Sequence, residues 1–264
     1  MNLKLENKKA FISGSTSGIG FAIAKTFAQE GAEVILNGRK ESTIEAAINK
    51  LKSEVPDAKV SGLTADFSSA ESVEKLLNDI GQIDILINNV GIFASQQFAD
   101  TTDEDWQRMF EVNVMSGVRL SRKVLPNMLE KNWGRIIFIS SECAMLVPED
   151  LIAYSATKAM IQAISRGLAQ TTKGTAVTVN AVLPGSTLSQ GAERFLKGAA
   201  EQQGITEKEV ADNFFKDVRT TSLLQRFATT EEVANTVVYL SSPLAAATNG
   251  AAIRVDGGSV PGII

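Results

Sequence analysis

Residues 9–30 read KAFISGSTSGIGFAIAKTFAQE and predict a β-strand, a glycine-rich loop and an α-helix in direct succession. The apolar run before the loop is typical of a buried strand, and the residues after Gly18 repeat apolar side chains at the spacing of an amphipathic helix. Glycines let such a loop turn tightly, and the first N–H groups of the helix, with its dipole, favour an anion. The stretch therefore predicts a βα unit with an anion site at its turn.

The same alternation recurs along the whole chain. Seven apolar or β-branched runs predict strands, at residues 9–13, 33–37, 59–63, 83–88, 135–140, 176–183 and 251–255. Amphipathic spacing predicts helices between them, at residues 18–30, 43–54, 72–79, 102–131 and 153–173. Continuous apolar strands suit a parallel sheet covered on both faces. We therefore expect an α/β fold, a Rossmann-type doubly wound domain with a seven-stranded parallel sheet and helices on both faces.

One long segment interrupts the alternation of predicted strands and helices. Residues 187–226 contain helical pieces such as 207–218, and no strand is predicted there. A long insertion beside a regular scaffold is typical of a lid or a binding loop. No Pro-rich or Ser-rich linker divides the chain, so residues 1–264 are predicted to form a single domain with this insertion.

Composition excludes several classes of function. Histidine is absent, which removes Ser-His-Asp triads and HExxH zinc sites, and no metal site is predicted. The net charge of −4 argues against binding nucleic acid. No apolar run approaches the roughly 18 residues of a membrane span, and the polar N-terminus resembles no signal peptide. With one cysteine, Cys143, the chain is expected in the cytoplasm.

The glycine loop has the spacing G-x-x-x-G-x-G, with Gly14, Gly18 and Gly20. In this strand-loop-helix setting it predicts a site for the pyrophosphate of a dinucleotide, and the alternative is a glycine-rich turn without a ligand. The second strand ends in Gly38-Arg39-Lys40, without the acid that usually accepts from the ribose of NAD(H). Arg39 can accommodate a 2′-phosphate, so NADP(H) is favoured and NAD(H) is possible. Alternatively, Arg39 and Lys40 are solvated loop charges.

Tyr154 and Lys158 lie four residues apart, on one face of a predicted helix. An unperturbed tyrosine has a pKa near 10, and lowering it towards 7 takes about 4 kcal/mol of phenolate stabilisation. A unit charge about 4 Å away supplies roughly that amount at an effective dielectric of 20. We therefore expect Lys158 to lower the pKa of Tyr154. The alternative is an ordinary exposed pair.

With these motifs in this order, the chain resembles the short-chain dehydrogenase/reductase family over nearly its whole length. Further segments match the family in Asp66 after the third strand, Asn88-Asn89-Val90-Gly91 after the fourth and Pro184-Gly185 after the sixth. The resemblance implies four catalytic residues: Asn113, Ser141, Tyr154 and Lys158. It implies a cofactor site made of Gly14, Ser17, Gly18, Ile19, Gly20, Arg39, Asp66, Asn89, Gly91, Tyr154, Lys158, Pro184, Gly185 and Thr187. It also implies substrate contacts by Phe93, Ser141, Cys143, Met145, Val147 and Tyr154.

The resemblance implies an NAD(P)-dependent oxidoreductase that interconverts a carbonyl and a secondary alcohol. Ser141 would hydrogen-bond the substrate oxygen and Tyr154 would exchange its proton. Lys158 would also hold the nicotinamide ribose, and Asn113 would complete a proton relay to solvent. Two departures from the family pattern concern the cofactor contacts. Val90 stands where the family has alanine, and the turn after the sixth strand reads PGSTLS.

Two functions of different class follow from the same fold. The complete set of four catalytic residues favours an enzyme acting on a small-molecule carbonyl or alcohol. The alternative is a catalytically idle dinucleotide-binding sensor or scaffold, for which a missing member of that set would be expected. By analogy with the family, a homotetramer is expected, with a dimer as the next possibility.

Overall fold

Parallel strands form the centre of the protein. A computed structural model describes residues 2–263. The strands are β1 (Lys9–Ile12), β2 (Glu33–Gly38), β3 (Val60–Thr64), β4 (Ile85–Asn88), β5 (Gly134–Ile139), β6 (Val177–Pro184), β7 (Thr187–Leu188), β8 (Ala228–Thr229) and β9 (Ala252–Val255). Within the described range, seven of them form one sheet in the order β3-β2-β1-β4-β5-β6-β9, and every neighbouring pair is parallel. The seven predicted sheet strands are confirmed.

Helices connect the strands. They are α1 (Gly18–Gln29), α2 (Glu41–Glu54), α3 (Ala70–Asp79), α4 (Asp103–Met109), α5 (Ser116–Glu130), α6 (Cys143–Leu146), α7 (Ile152–Thr171), α8 (Gln190–Gln203), α9 (Glu207–Asn213) and α10 (Thr230–Leu240). Single 3₁₀ turns occur at Phe98–Asp100 and Pro243–Ala245. Across residues 2–263, none of the helices combines the length and the apolar character needed to cross a bilayer.

The sheet buries both of its faces. Side chains alternate along each strand, so Ile12 belongs to one apolar cluster and its neighbour Phe11 to the other. Helices α1, α2 and α10 contribute to the first cluster, while α3, α5 and α7 contribute to the second. Helices therefore cover both faces, and the doubly wound α/β architecture is confirmed.

Strand order creates a crevice at the carboxyl edge of the sheet. The chain proceeds from β1 outward to β3 on one side and then returns to β4 on the other. Loops leaving β1 and β4 consequently diverge towards opposite faces, and ligands of open α/β sheets bind in the crevice at such a reversal. The loop after β1 is the predicted glycine loop, so the topology places it at the position where a nucleotide would enter.

Three local predictions need correction. The predicted helix over 102–131 is divided, because a π-helical segment, Phe110–Met115, separates α4 from α5. The predicted helix over 207–218 likewise changes to π geometry at Phe214–Val218. The expectation of no strand in residues 187–226 was wrong, since β7 pairs with β8 and closes the base of the insertion. A two-residue strand is too short to give a periodic signal.

Candidate active site

The glycine loop after β1 has the backbone geometry of a phosphate cradle. Gly14 and Gly18 have φ angles of +61° and +57°, in the left-handed region that glycine adopts without a steric penalty. Ser17 is the N-cap of α1, and its side chain accepts no N–H of that first turn within the described residues. The first N–H groups of the helix therefore remain available to an anion.

Close backbone approach explains the third glycine. A Cβ on Gly20 would lie 2.4 Å from the Gly14 carbonyl oxygen and 2.6 Å from Asn89 Nδ2. Any side chain at position 20 would thus displace the loop that it supports. The sequence prediction of Gly14, Gly18 and Gly20 as one loop agrees with this packing.

The segment after β4 braces the glycine loop. Asn89 Nδ2 donates to the carbonyl oxygens of Ser13 and Gly14 at 3.0 and 2.9 Å. Val90, the departure from the family pattern, fills the space beside Gly14, where an added Cβ would lie 2.8 Å from Val90 Cγ2. Asn89 therefore orients the loop.

Asn37 at the end of β2 is a bracing residue that the sequence analysis missed. Its Oδ1 accepts the N–H of Gly14 at 2.9 Å, and its Nδ2 donates to the Leu63 carbonyl at 3.0 Å. One buried side chain thereby joins the ends of three strands. A polar residue closing an otherwise apolar strand is the signal that could have found it.

Arg39 and Asp66 lie at the outer corner of the same edge. Arg39 is exposed directly after β2, and Asp66 follows β3. The Ser68 hydroxyl and N–H hold the pKa of Asp66 below its ordinary value, with a smaller contribution from the Arg39 guanidinium. A cation and an ionised acid thus stand where the family resemblance predicts the adenosine end of a dinucleotide.

Asn113 lies in the π-helical segment between α4 and α5 and is almost fully buried. Its Oδ1 accepts the N–H of Ile92 at 2.7 Å, and its Nδ2 donates to the Ile92 carbonyl at 2.9 Å and to Thr157 Oγ1 at 3.0 Å. Thr157 belongs to α7, the helix that carries Tyr154 and Lys158. The wider helical turn therefore joins the loop after β4 to the predicted catalytic helix.

The remaining predicted catalytic residues converge at the carboxyl end of β5. Lys158 Nζ donates to the Ile139 carbonyl at 2.9 Å and lies 5.5 Å from the centroid of the Tyr154 ring. A Cβ on Gly91 would be 3.2 Å from that Nζ and 3.6 Å from Asn113 Oδ1. Ser141 follows β5, and its Oγ accepts the N–H of Cys143 at 3.1 Å. Lys158 and Asn113 therefore meet beside Gly91, and Tyr154 lies next to Lys158 and Ser141.

The pKa values of Tyr154 and Lys158 differ from those expected from the sequence. Burial raises the pKa of Tyr154 above its ordinary value, and a hydrogen bond with Ser141 opposes this only in part. Burial also lowers the pKa of Lys158 to about 8. The Lys158 ammonium donates to the Ile139 main-chain carbonyl. The expected fall of the Tyr154 pKa towards 7 is therefore not found in this arrangement, because desolvation of the buried phenol is the largest effect on that pKa.

The predicted substrate side has an apolar wall. Phe93 is 71% exposed, and its ring meets the Tyr154 ring edge-on with centroids 5.9 Å apart. Cys143 is buried, and burial raises the pKa of its thiol. Because the thiolate is the nucleophilic form, a thiol with a raised pKa suits an inert wall residue better than a nucleophile. Met145 on α6 and Val147 directly after that helix are both exposed. Val147 has φ +46°, a strained conformation for a β-branched residue.

The turn after β6 approaches both the catalytic strand and the glycine loop. Thr187 Oγ1 donates to the Gly185 carbonyl at 2.9 Å. A Cβ on Gly185 would lie 2.7 Å from Asp256 Cα, so the turn packs closely against the end of β9. A Cβ on Gly18 would lie 3.6 Å from Ser189 Cβ, which puts the start of the insertion beside the phosphate cradle. Pro184, Gly185 and Thr187 thus border the same crevice as the predicted catalytic residues.

Comparison with known proteins identifies the family. Residues 8–200 match the family model described as short chain dehydrogenase. The chain belongs to the short-chain dehydrogenase family. Its members are oxidoreductases, and this chain is an oxidoreductase of that family.

Similar short-chain dehydrogenases cover almost the whole chain. It is 50% identical over 264 residues to the uncharacterized oxidoreductase YvrD of Bacillus subtilis, with 98% of this chain and 99% of that protein covered. It is 33% identical over 255 residues to a D-beta-hydroxybutyrate dehydrogenase of Rhizobium meliloti, covering 95% and 98%. The crystal structure of L-sorbose reductase from Gluconobacter frateurii, complexed with NADPH and L-sorbose, is similar with a TM-score of 0.92 and 32% identity over 100% of both chains.

Proposed function

We propose that this short-chain dehydrogenase is an NADP(H)-dependent enzyme that interconverts a ketone and a secondary alcohol. One observation carries the proposal. Tyr154 lies beside Ser141 and Lys158, and Lys158 and Asn113 meet at Gly91, at the edge that also holds the glycine loop. The groups that could bind a dinucleotide and the groups that could exchange a proton share one crevice.

The residues of the crevice fit a dinucleotide. The uncapped first turn of α1 and the tight turn that Gly14, Gly18 and Gly20 allow suit a pyrophosphate. When bound, the nicotinamide cofactor supplies or accepts the hydride. Arg39 supports NADP(H) through its positive charge beside the predicted adenosine corner, and the NADPH in the L-sorbose reductase complex is consistent with that preference.

Proton exchange is the task of Tyr154. A raised pKa keeps its phenol protonated throughout the neutral range, so the hydroxyl is ready to donate to the oxygen of a ketone as the carbonyl carbon is reduced. Ser141 Oγ would donate a hydrogen bond to the same oxygen and stabilise its developing charge. The proton lost from Tyr154 returns through Lys158 and the polar groups around Asn113. In the oxidative direction each proton moves the other way.

The charge on Lys158 favours the phenolate that forms after proton donation. Its pKa of about 8 leaves the ammonium mostly protonated at neutral pH. It lies 5.5 Å from the centroid of the Tyr154 ring, close enough for its field to act on the phenolate. A cationic Lys158 would also be placed to hold a nicotinamide ribose beside Gly91.

Turnover assays test the proposal directly. Purified protein is mixed with NADPH and a panel of ketones, hydroxy ketones and oxo acids, and oxidation is followed at the nicotinamide absorbance. Tyr154→Phe should lower kcat by about 10²- to 10⁴-fold, the usual contribution of a positioned acid. Tyr239→Phe is the matched control, because Tyr239 lies half-exposed on α10 and should retain full activity. Binding of both nicotinamide cofactors without turnover of any substrate would instead support a dinucleotide sensor.

Assembly is a prediction of the family resemblance, and location is a prediction of the sequence composition. We propose a homotetramer in the cytoplasm, built from single-domain subunits. Light scattering coupled to size-exclusion chromatography separates a tetramer from a dimer or monomer through the measured mass.

A further inference from the structure

A buried ion pair joins the insertion at residues 187–226 to the catalytic edge of the sheet. Arg219 Nε lies 2.9 Å from Glu142 Oε1, and the side chains are only 13% and 3% exposed. The two residues are 77 positions apart. Glu142 directly follows Ser141, while Arg219 directly follows the π-helical segment after α9. The pair therefore connects two parts of the predicted substrate site.

Glu142 is held against the turn that follows β6. Its N–H donates to the Pro184 carbonyl at 2.9 Å, and Ser186 Oγ donates to its Oε1 at 3.3 Å. A Cβ on Gly185 would lie 2.6 Å from Glu142 Oε2. The carboxylate thus fills the space beside that glycine, one residue away from the predicted catalytic hydroxyl.

Arg219 is held from the side of the insertion. Its guanidinium lies 5.7 Å from the centroid of the Phe214 ring, and its Nη2 is 3.9 Å from Cys143 Sγ. Just beyond it, the N–H groups of Leu223 and Leu224 both donate to the Gly257 carbonyl at 2.9 Å. The end of the insertion is therefore attached to the C-terminal tail by its backbone and to the catalytic strand through Arg219.

Stability alone does not account for the pair. Removing two charges from water costs free energy that their attraction need not recover. Glu142 Oε2 has no hydrogen-bond partner within residues 2–263, which leaves the carboxylate incompletely compensated. A pair of apolar side chains would fill this volume without that cost. A directional Nε to Oε1 contact, in contrast, sets the relative position of the two segments.

We propose that Glu142 and Arg219 are positioning residues, which hold the closing end of the insertion in register with Ser141 and the Pro184-Gly185 turn. This inference rests on the proposed carbonyl reduction. The pair acts through Ser141 and the wall at Cys143, so it orients the ketone oxygen towards the Tyr154 hydroxyl. Its effect on the Kd of NADPH should be small and limited to the predicted contacts of the Pro184-Gly185 turn, because the hydrogen bonds of the pair reach that turn and not the glycine loop.

The experiment compares Arg219→Met, the double variant Glu142→Met/Arg219→Met and a matched control, Arg226→Met. Arg226 also pairs with a glutamate at the end of the insertion, but that pair with Glu232 is exposed. For each protein we would measure kcat and KM for a ketone substrate, the Kd of NADPH and the thermal midpoint. Backbone hydrogen exchange would be followed in peptides covering residues 139–147 and 214–224.

Arg219→Met should lower kcat/KM at least 20-fold, mostly through KM, while the Kd of NADPH changes less than threefold. Arg219→Lys, which keeps the charge, should recover part of the loss. The double variant should regain thermal stability but not kcat/KM, which separates positioning from folding. Exchange should rise in both peptides of Arg219→Met and in neither peptide of Arg226→Met.

A kcat/KM of Arg219→Met and of the double variant within twofold of Arg226→Met would overturn the proposal. If the wild-type protein reduces no carbonyl, the proposed function fails, and hydrogen exchange then decides the positioning role alone. Unchanged exchange at residues 139–147 in Arg219→Met would refute it, and increased exchange there would support it.

Discussion

Replacing Gly20 by alanine tests the predicted phosphate cradle with one methyl group. The new Cβ would lie 2.4 Å from the Gly14 carbonyl oxygen, 2.6 Å from Asn89 Nδ2 and 2.9 Å from Ser15 Cα. Non-bonded heavy atoms prefer separations of about 3.5–4.0 Å. Since two of these neighbours are backbone atoms, the loop must move by about 1 Å to admit the methyl group.

Such a movement is larger than the range of donor–acceptor distances that a hydrogen bond tolerates. An N–H donor has a usable range of about 2.7–3.2 Å to its acceptor, so a 1 Å displacement breaks the contact. A hydrogen bond to a charged group contributes about 1.5–3 kcal/mol. Losing one phosphate contact should therefore weaken NADPH binding by about 10- to 150-fold. The thermal midpoint should also fall, because the Asn89 side chain loses its place against the loop.

NADPH titration followed by nicotinamide fluorescence measures the effect, together with a thermal melt. Gly198→Ala is the matched control, because an added Cβ there has no neighbour within 4 Å among the described residues and the position is helical. This control should retain its affinity for NADPH. Its unfolding free energy should rise by up to about 1 kcal/mol, because alanine has the higher helix propensity. If Gly20→Ala binds NADPH within twofold of the wild type, the loop does not hold the pyrophosphate and our assignment of the site is wrong.

Two further predictions concern charged residues of the site. Burial lowers the pKa of Lys158 to about 8 from an ordinary 10.5. Between pH 8 and pH 10.5 the unfolded chain therefore binds more protons than the folded one. The folded state consequently gains stability as the pH rises through this range. Urea melts measure the difference in unfolding free energy between the wild type and Lys158→Met. This difference should increase by about 3 kcal/mol from pH 8 to pH 10.5. A difference that does not change with pH would contradict the buried charge. Arg39→Asp should weaken NADPH binding about 10- to 150-fold and spare NADH in parallel titrations; equal affinities for NADPH in both proteins would refute the choice of NADP(H).

Much of the fold could be predicted because its signals are local. A strand, a tight turn and an amphipathic helix each leave a pattern within about 20 residues, and seven apolar strands with five amphipathic helices between them imply a covered parallel sheet. The glycine loop and the pairing of Tyr154 with Lys158 on one helix face are local in the same sense. Where local signals were weak, as for the two-residue strand at Thr187–Leu188 or the π-helical segment at Phe110–Met115, the predictions were wrong.

The charges of the site were less predictable, because a pKa depends on burial and on distant partners. The four-residue spacing of Tyr154 and Lys158 predicts that they meet, but not that Lys158 donates to the Ile139 carbonyl and that burial raises the pKa of the phenol. No local pattern relates Glu142 to Arg219. Their contact exists only because β5, the turn after β6 and the end of the insertion meet at one edge of the sheet.

The amino-acid sequence by itself determined the order of the strands and helices, the glycine turn and the residue types available for chemistry, since these depend on backbone sterics and side-chain periodicity over short distances. Tertiary structure alone decided which charges are desolvated, which hydrogen bonds they make and how the insertion is fastened to the catalytic edge. Desolvation and long-range pairing are properties of the packed chain, where residues far apart in sequence displace the water between them.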